Sequence, residues 1–407
     1  TMQGHFYKPN CKCEGKKTKK CSCGATWSYI IDVGINPATG KRKQRKKGGF
    51  KTKDEAQTAA ALALSELAQG VFVEEKKDTF EQFAEEWLTG YKNSGRVKIS
   101  TVNIRRYEID CFLKHIGKAK LKDITKRQYQ SFLNDLHKQG HAISTIRGVH
   151  NTGQMIFRKA IEMDVIKNDP TKYAVVPQVQ KTVAELEQNT EMPNYLEKEE
   201  LALLIDTAKQ YGRDRDYIIF LTLAYTGMRV GELCALKWSD IDFEEQTISI
   251  TKTCYNPNNN TRKYILLTPK TKKSIRTIDT DRLLVNELKI HQVVQNRLKM
   301  LRRDIYHDEG FVFAQTNRYP GYPAYIKLIE IRMRRLLRLS KLDTSLTPHS
   351  LRHTHTSLLA EAGVSLEQIM HRLGHSDDAT TKNIYLHITK PKRKEASQKF
   401  AELMEGF

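Results

Sequence analysis

Residues 347–388 read TPHSLRHTHTSLLAEAGVSLEQIMHRLGHSDDATTKNIYLHI, and their punctuation lays out two short helices that feed a third. Thr347 is suited to an N-cap with Pro348 at the first helical position, and Gly363 marks where that helix stops. His349 and Arg352 then share a face, while Leu351 and Leu358 fall nearly opposite them on a 3.6-residue wheel. The expectation is an apolar side entering a core and a polar pair presented to a site. Ser365 followed by Gln368 predicts a capping box for the second helix, and Gly374 closes it, leaving His375 at the mouth of a turn. Tyr385 comes ten residues later. Two imidazoles, a guanidinium and a phenol are groups suited to attacking a phosphodiester without a metal. Each alone is more often structural; the grouping gives them weight.

Bulk properties narrow the field. A chain of 407 residues has room for two or three domains and a sizeable core. Its net charge of +21 favours a polyanion partner, DNA or RNA ahead of an acidic membrane surface. No run of eighteen apolar residues and no hydrophobic leader occur, so a cytoplasmic, non-membrane protein is expected. Of seven cysteines, Cys111, Cys234 and Cys254 stand singly and are expected to be free thiols in a reducing compartment. Cys11, Cys13, Cys21 and Cys23 form CKCEGKKTKKCSC. One residue between the members of each pair is tighter than the usual zinc spacing, so a tetrathiolate zinc site and a hairpin of reduced thiols both stay open.

Outward from the C-terminal stretch, five segments are expected. Residues 1–73 form a basic module with 14 Lys or Arg against 5 Asp or Glu. WSYIIDVGI (27–35) has strand composition, 36–40 supplies turn residues, 41–50 returns as a basic strand, and 52–69 is an Ala- and Leu-rich helix. A small sheet backed by one helix can lie in a major groove with Lys41, Arg42, Lys43, Arg45, Lys46 and Lys47 on phosphates. Residues 74–174 carry helical periodicity, with Phe80, Phe83, Trp87 and Leu88 on one stripe and further helices over 101–116, 126–140 and 144–163. They predict a compact bundle of four or five helices on which Arg105, Arg106 and Arg147 are candidate duplex contacts. Residues 175–194 lose periodicity and read as a linker.

Residues 195–389 alternate helices with short β-segments. Helices are predicted over 197–211 and 214–225; Thr226-Gly227 stops the second and sets Arg229 at the start of the next, with Glu232 three residues on to orient it. A strand over 247–250 leads to two strands flanking Pro269-Lys270-Thr271-Lys272, which places Lys270 near a hairpin tip. Helices over 282–302 and 323–338 complete the framework. In 390–407, Ala396, Phe400, Leu403, Met404 and Phe407 line one side of a tail helix. The fold class expected is mainly α with small β-sheets, in several domains.

The order Arg229 in TGMRVGEL, Lys270 in TPKTKKSIRTI, His349 and Arg352 in HSLRH, His375 in LGH and Tyr385 in NIYLH resembles the tyrosine recombinases of the lambda-integrase type. The layout resembles integrases of temperate phages and conjugative transposons of low-GC Gram-positive bacteria: a sheet-plus-helix arm-binding module, a helical core-binding domain and a mixed α+β catalytic domain. The resemblance spans essentially the whole chain and is most specific across 226–233 and 347–387. It implies a site-specific DNA recombinase of a mobile element. Tyr385 would form a 3′-phosphotyrosyl link, with Arg229 and Arg352 on the phosphate and Glu232 supporting. His349 would accept the phenol proton, Lys270 would donate one to the leaving 5′-oxygen, and His375 would hydrogen-bond the phosphate. No metal or ATP is implied. The partners implied are double-stranded DNA at core and arm-type sites, three further copies of the chain on that DNA, and an accessory directionality factor, in a nucleoid-associated bacterial protein. The rival expectations are a type IB topoisomerase and a catalytically idle DNA-binding regulator.

Overall fold

Strand composition in 27–35 and helical periodicity elsewhere set the local structure of the computed structural model, which describes residues 4–9, 11, 24–35, 40, 42–68, 78–178, 195–269, 274–374 and 379–388. Two compact units divide the chain, Thr1–Gln180 and Lys181–Phe407.

The first unit holds two separate cores. In its N-terminal module β1 (Gly4–Tyr7), β2 (Trp27–Ile35) and β3 (Arg42–Phe50) form an antiparallel sheet in that order, followed by α1 (Lys53–Ala68). The sequence predicts only the last two strands, because GHFY is too short to show a period. Tyr29 and Ile31 pack with Ala60 and Ala63 of α1. Register places Lys47 across from Tyr29 and Arg45 across from Ile31, but Lys46 across from Ile30. Alternation therefore divides the basic run between the two faces of the sheet instead of massing it on one. On the helix-free face Lys46 lies 5.1 Å from the centre of the Tyr7 ring, and Tyr7 stacks on His5. Arg42 pairs with Asp32.

The second module is a bundle of α2 (Phe80–Asn93), α3 (Ile99–Ile116), α4 (Lys126–Lys138) and α5 (Ile143–Glu162). Thr79 with Gln82 and Thr125 with Gln128 form capping boxes that start α2 and α4. Phe80, Phe112, Phe132 and Phe157 cluster at the centre, with Phe112 and Phe132 ring centres 4.7 Å apart. A Cβ on Gly153 would sit 2.4 Å from the Tyr129 hydroxyl, so glycine lets α5 approach these rings. The stretch read as a linker begins attached to this bundle: the Gln130 side chain bonds both the N–H and the C=O of Val175, and Val176 packs on the core.

In the second unit α6 (Lys198–Tyr211), α7 (Asp216–Thr226) and the short α8 (Val230–Ala235) precede β4 (Ile241–Asp242), β5 (Thr247–Ile250), β6 (Thr253–Tyr255), β7 (Ile265–Leu267) and β8 (Arg276–Asp279). Then come α9 (Arg282–Leu301), α10 (Ile326–Leu339), α11 (Pro348–Glu361), α12 (Leu366–Leu373) and α13 (Ala379–Ile388). Helix α7 is apolar nearly all round and forms the middle of the core, with Ile218, Phe220, Leu221 and Leu223 buried beside Leu233, Ile278 and Leu351. Sheet β4-β5-β8 and the pair β6-β7 are both antiparallel. This corrects the expected hairpin: the two strands flanking Lys270 do not pair with each other, β7 pairing with β6 and β8 with β5. No helix among the described residues is long and apolar enough to cross a membrane.

Candidate active site

The site begins where α7 stops. Gly227 takes φ 62°, ψ 15°, a left-handed conformation natural to glycine, and its N–H closes the helix on the Leu223 carbonyl. A Cβ here would stand 2.6 Å from Cδ2 of His355 and 2.9 Å from Cδ2 of Leu373. The turn thus lies directly against α11 and α12. Gly227→Ala combines backbone strain with this overlap against a pinned ring, and is expected to lower stability by about 1–3 kcal/mol, read as a drop in thermal midpoint.

Arg352 crosses this junction. Its Nη1 donates to the Gly227 carbonyl and its Nη2 to the Leu373 carbonyl, each at 2.7 Å, and the residue is 2% exposed. That corrects the expectation of an amphipathic α11 presenting both polar residues. Ser350, Thr354, His355, Thr356 and Ser357 are buried as well, while Leu358 is only half-buried. Hydroxyls make this possible by bonding back along the chain, Thr354 to the Ser350 carbonyl and Thr356 to that of Arg352. Leu351 does enter the core, and His349 meets the original picture on the other side: it is exposed in the first turn, its ring centre 4.7 Å from that of His353.

Arg229 is the N-cap of α8. Its backbone N–H donates to Glu232 Oε2 and its Nη1 to Oε1, both at 3.0 Å, and its side chain is 37% exposed. Glu232 is buried and also accepts from Arg276 Nη2 at 2.9 Å. Burial pushes its carboxyl up, but the hydrogen bond and charge of Arg276 and the Arg229 N–H outweigh this and hold it below the ordinary range. The carboxylate stays ionised between two guanidiniums.

Sequence reading singles out none of Arg276, Arg372 or His355. Arg276 Nε donates to the Arg372 carbonyl at 2.8 Å. The Arg372 guanidinium in turn donates to Asp279 O, Tyr225 O and His355 Nε2. With Nε2 accepting, His355 Nδ1 donates to the Ala224 carbonyl at 2.8 Å, so the ring is the neutral Nδ1–H tautomer. Burial first, then the charge of Arg372, push its pKa down to about 3. Helices α7, α11 and α12 are stitched to β8 by these bonds. One signal was available: in KSIRTID the period that buries Ile278 also buries Arg276 and leaves Ile275 half-exposed, an inversion of what an apolar strand face prefers.

Tyr385 is half-buried on α13 and packs against the cluster of Ala360, Ile369 and Leu373. Leu373 is the residue whose carbonyl holds Arg352. The structure thus brings Arg229, Glu232 and Arg352 to one junction of α8, α11 and α12, and packs Tyr385 of α13 on the cluster that includes Leu373. Lys270, His375 and the tail 390–407 lie outside the described residues, as do Lys41, Cys13, Cys21, Cys23 and the side chain of Lys43. Cys11 is half-buried; Cys111, Cys234 and Cys254 are buried free thiols. Among the other candidate contacts, Lys46, Lys47 and Arg147 are exposed. Arg105 holds buried Glu108 and Thr152 within the bundle, and Arg106 pairs with Glu85.

Residues 194–392 match the Phage integrase family, 16–67 an Arm DNA-binding domain and 79–137 the Phage integrase, N-terminal SAM-like domain. The integrase of Staphylococcus phage L54a is 30% identical over 336 residues, which span 80% of this chain and 93% of that one. The chain belongs to the phage integrase family. It is a tyrosine recombinase, a DNA strand transferase of the kind carried by mobile elements. The integrase of transposon Tn1549, solved in complex with transposon right end DNA, shares the fold with a TM-score of 0.62 at 22% identity, over 80% of this chain and 100% of that one. A lambda integrase tetramer bound to a Holliday junction superposes with a TM-score of 0.54 at 19% identity, over 88% of this chain and 91% of that one. The matched segments agree with a three-part integrase: sheet and helix, helical bundle, mixed catalytic domain.

Proposed function

We propose that this integrase cuts and rejoins double-stranded DNA with Tyr385 as nucleophile and Arg229 and Arg352 as the groups that stabilise charge at phosphorus. A phosphodiester under attack piles negative charge onto its non-bridging oxygens, so guanidiniums fixed beforehand bind the transition state more strongly than the ground state. Arginine suits this because its planar fork meets two oxygens at once. The phenol, with an ordinary pKa of about 10, must lose its proton as the new O–P bond forms, and His349 in the first turn of α11 is the acceptor. As the P–O5′ bond breaks, the departing oxygen takes a proton from Lys270. His375 bonds the phosphate and steadies Tyr385. The aryl phosphate ester retains the energy of the broken bond, so a 5′-hydroxyl from another strand can displace Tyr385 in the reverse reaction. Strand exchange needs neither ATP nor a divalent metal on this account.

The observation that supports the reading most is the buried Arg352 guanidinium, fixed between the turn leading to Arg229 and the end of α12 against which Tyr385 packs. For partners, the helix-free face of the N-terminal sheet, with His5, Tyr7 and Lys46, would take the arm-type site, and the helical bundle with the catalytic domain would take the core site. Four protomers would act pairwise on two duplexes, with the tail 390–407 docked on a neighbouring copy and an accessory factor setting direction. The integrase would act on the bacterial nucleoid. A nicked suicide duplex carrying the recombination site is expected to trap a denaturant-resistant protein–DNA adduct in excess EDTA. Loss of the adduct on chelation would contradict the metal-free chemistry. Supercoil relaxation without joining of two duplexes would favour the topoisomerase reading.

A further inference from the structure

Glu232 alone does not fix Arg229, since a carboxylate in a protein interior needs something to hold it in turn. Arg276 does so from the first position of β8, bridging Glu232 through Nη2 at 2.9 Å and Nη1 at 3.4 Å. The same Nη1 donates to the Ser274 carbonyl at 3.1 Å, and Nε donates to the Arg372 carbonyl at 2.8 Å. The next residue after Arg372 is Leu373, whose carbonyl anchors Arg352. One planar group therefore touches, on one edge, the carboxylate that orients Arg229 and, on another, the peptide next to the one that orients Arg352.

We infer that Arg276 is a positioning residue that sets the spacing between the Arg229 and Arg352 guanidiniums, acting through the Glu232 carboxylate and the Arg372 backbone. The inference rests on the roles proposed above for those two arginines. Stability alone is a poor reason for the arrangement. A buried ion pair costs several kcal/mol in desolvation, roughly what its attraction returns, and a packed apolar residue commonly serves as well. Here the side chain facing inward from β8 is 7% exposed arginine while its neighbour Ile275 is 54% exposed. What the guanidinium supplies and an aliphatic group does not is direction: a rigid fork whose three nitrogens each fix a different acceptor. Two phosphate-binding groups must match the oxygens of a single phosphorus, and an error of about 1 Å in such a match can cost about 100-fold in rate.

Arg276→Lys keeps the charge opposite Glu232 but loses the fork; Arg276→Gln, uncharged, is measured in parallel so that either folded variant suffices. Both are to be checked by thermal melting and DNA affinity, then by the rate of adduct formation on the nicked duplex, alone and combined with Arg229→Lys. The expected result is unchanged DNA affinity, adduct formation slowed about 10- to 100-fold, and a double variant hardly slower than Arg229→Lys alone, because both lesions spoil the same interaction. A wild-type rate in a folded Arg276 variant would overturn the inference. So would losses that multiply independently with Arg229→Lys, the pattern of a merely structural residue. If Arg229→Lys itself reacts at the wild-type rate, the role proposed for Arg229 fails instead, a separate and recognisable outcome.

Discussion

Tyr385→Phe is expected to bind recombination-site DNA as the wild type does and to form no covalent adduct. The change removes one oxygen. The ring keeps its packing against Ala360, Ile369 and Leu373, so α13 should hold its place and the thermal midpoint should move little. Affinity should also hold, because it comes from many phosphate contacts spread over the chain's net charge of +21. Chemistry is another matter. Phenylalanine has no oxygen to take the phosphoryl group, and loss of a nucleophile typically costs beyond about 10⁴-fold. A denaturing gel of the nicked-duplex reaction shows this directly, as a band of slowed DNA with wild-type protein and none with the variant.

Arg352→Ala is expected to fail in two separable ways. In the ground state it empties a volume the size of a guanidinium and leaves the Gly227 and Leu373 carbonyls without their donor, in a region where Gly227 allows no substitute side chain. Leaving buried polar groups unmade costs about 1–3 kcal/mol each, so the melting temperature should fall by several degrees. In the transition state it removes a positive charge that was in place before the reaction, for which a loss of about 10²–10³-fold is typical. Arg352→Lys separates the two: the charge remains, but an ammonium cannot span both carbonyls and also face a phosphate. Its adduct rate should lie between wild type and Arg352→Ala on protein shown by melting to be folded.

Much of the C-terminal architecture was legible because it is written in local chemistry. Thr347-Pro348, Ser365 with Gln368 and Gly374 are start and stop signals that act within one helical turn, and each marks a helix end in the structure. The turn at Thr226-Gly227 was legible for the same reason. What the sequence hid depends on distant partners. Periodicity assigns Arg352 to a polar face, but its acceptors lie at Gly227 and Leu373, 125 and 21 residues away, and they turn a nominal surface residue into a buried one. Arg105 has Glu108 three residues on as a local partner, but nothing local shows that Glu108 is buried or that Thr152, 47 residues away, also accepts from it. Strand pairing is non-local too: β7 and β8 are consecutive strands yet join different sheets. Arg372 and His355 escaped notice because their importance lies in a hydrogen-bonded circuit across four elements, which no spacing rule describes; for Arg276 the one trace was its inward register beside Ile278 on β8.

The most direct test of the whole account is to digest the trapped protein–DNA adduct with protease and nuclease and to identify by mass spectrometry the peptide that retains a nucleotide. A single modified peptide from α13 is expected, with the phosphoryl group on the oxygen of Tyr385. A nucleotide on any other residue, or an adduct that forms equally well in Tyr385→Phe, would contradict it.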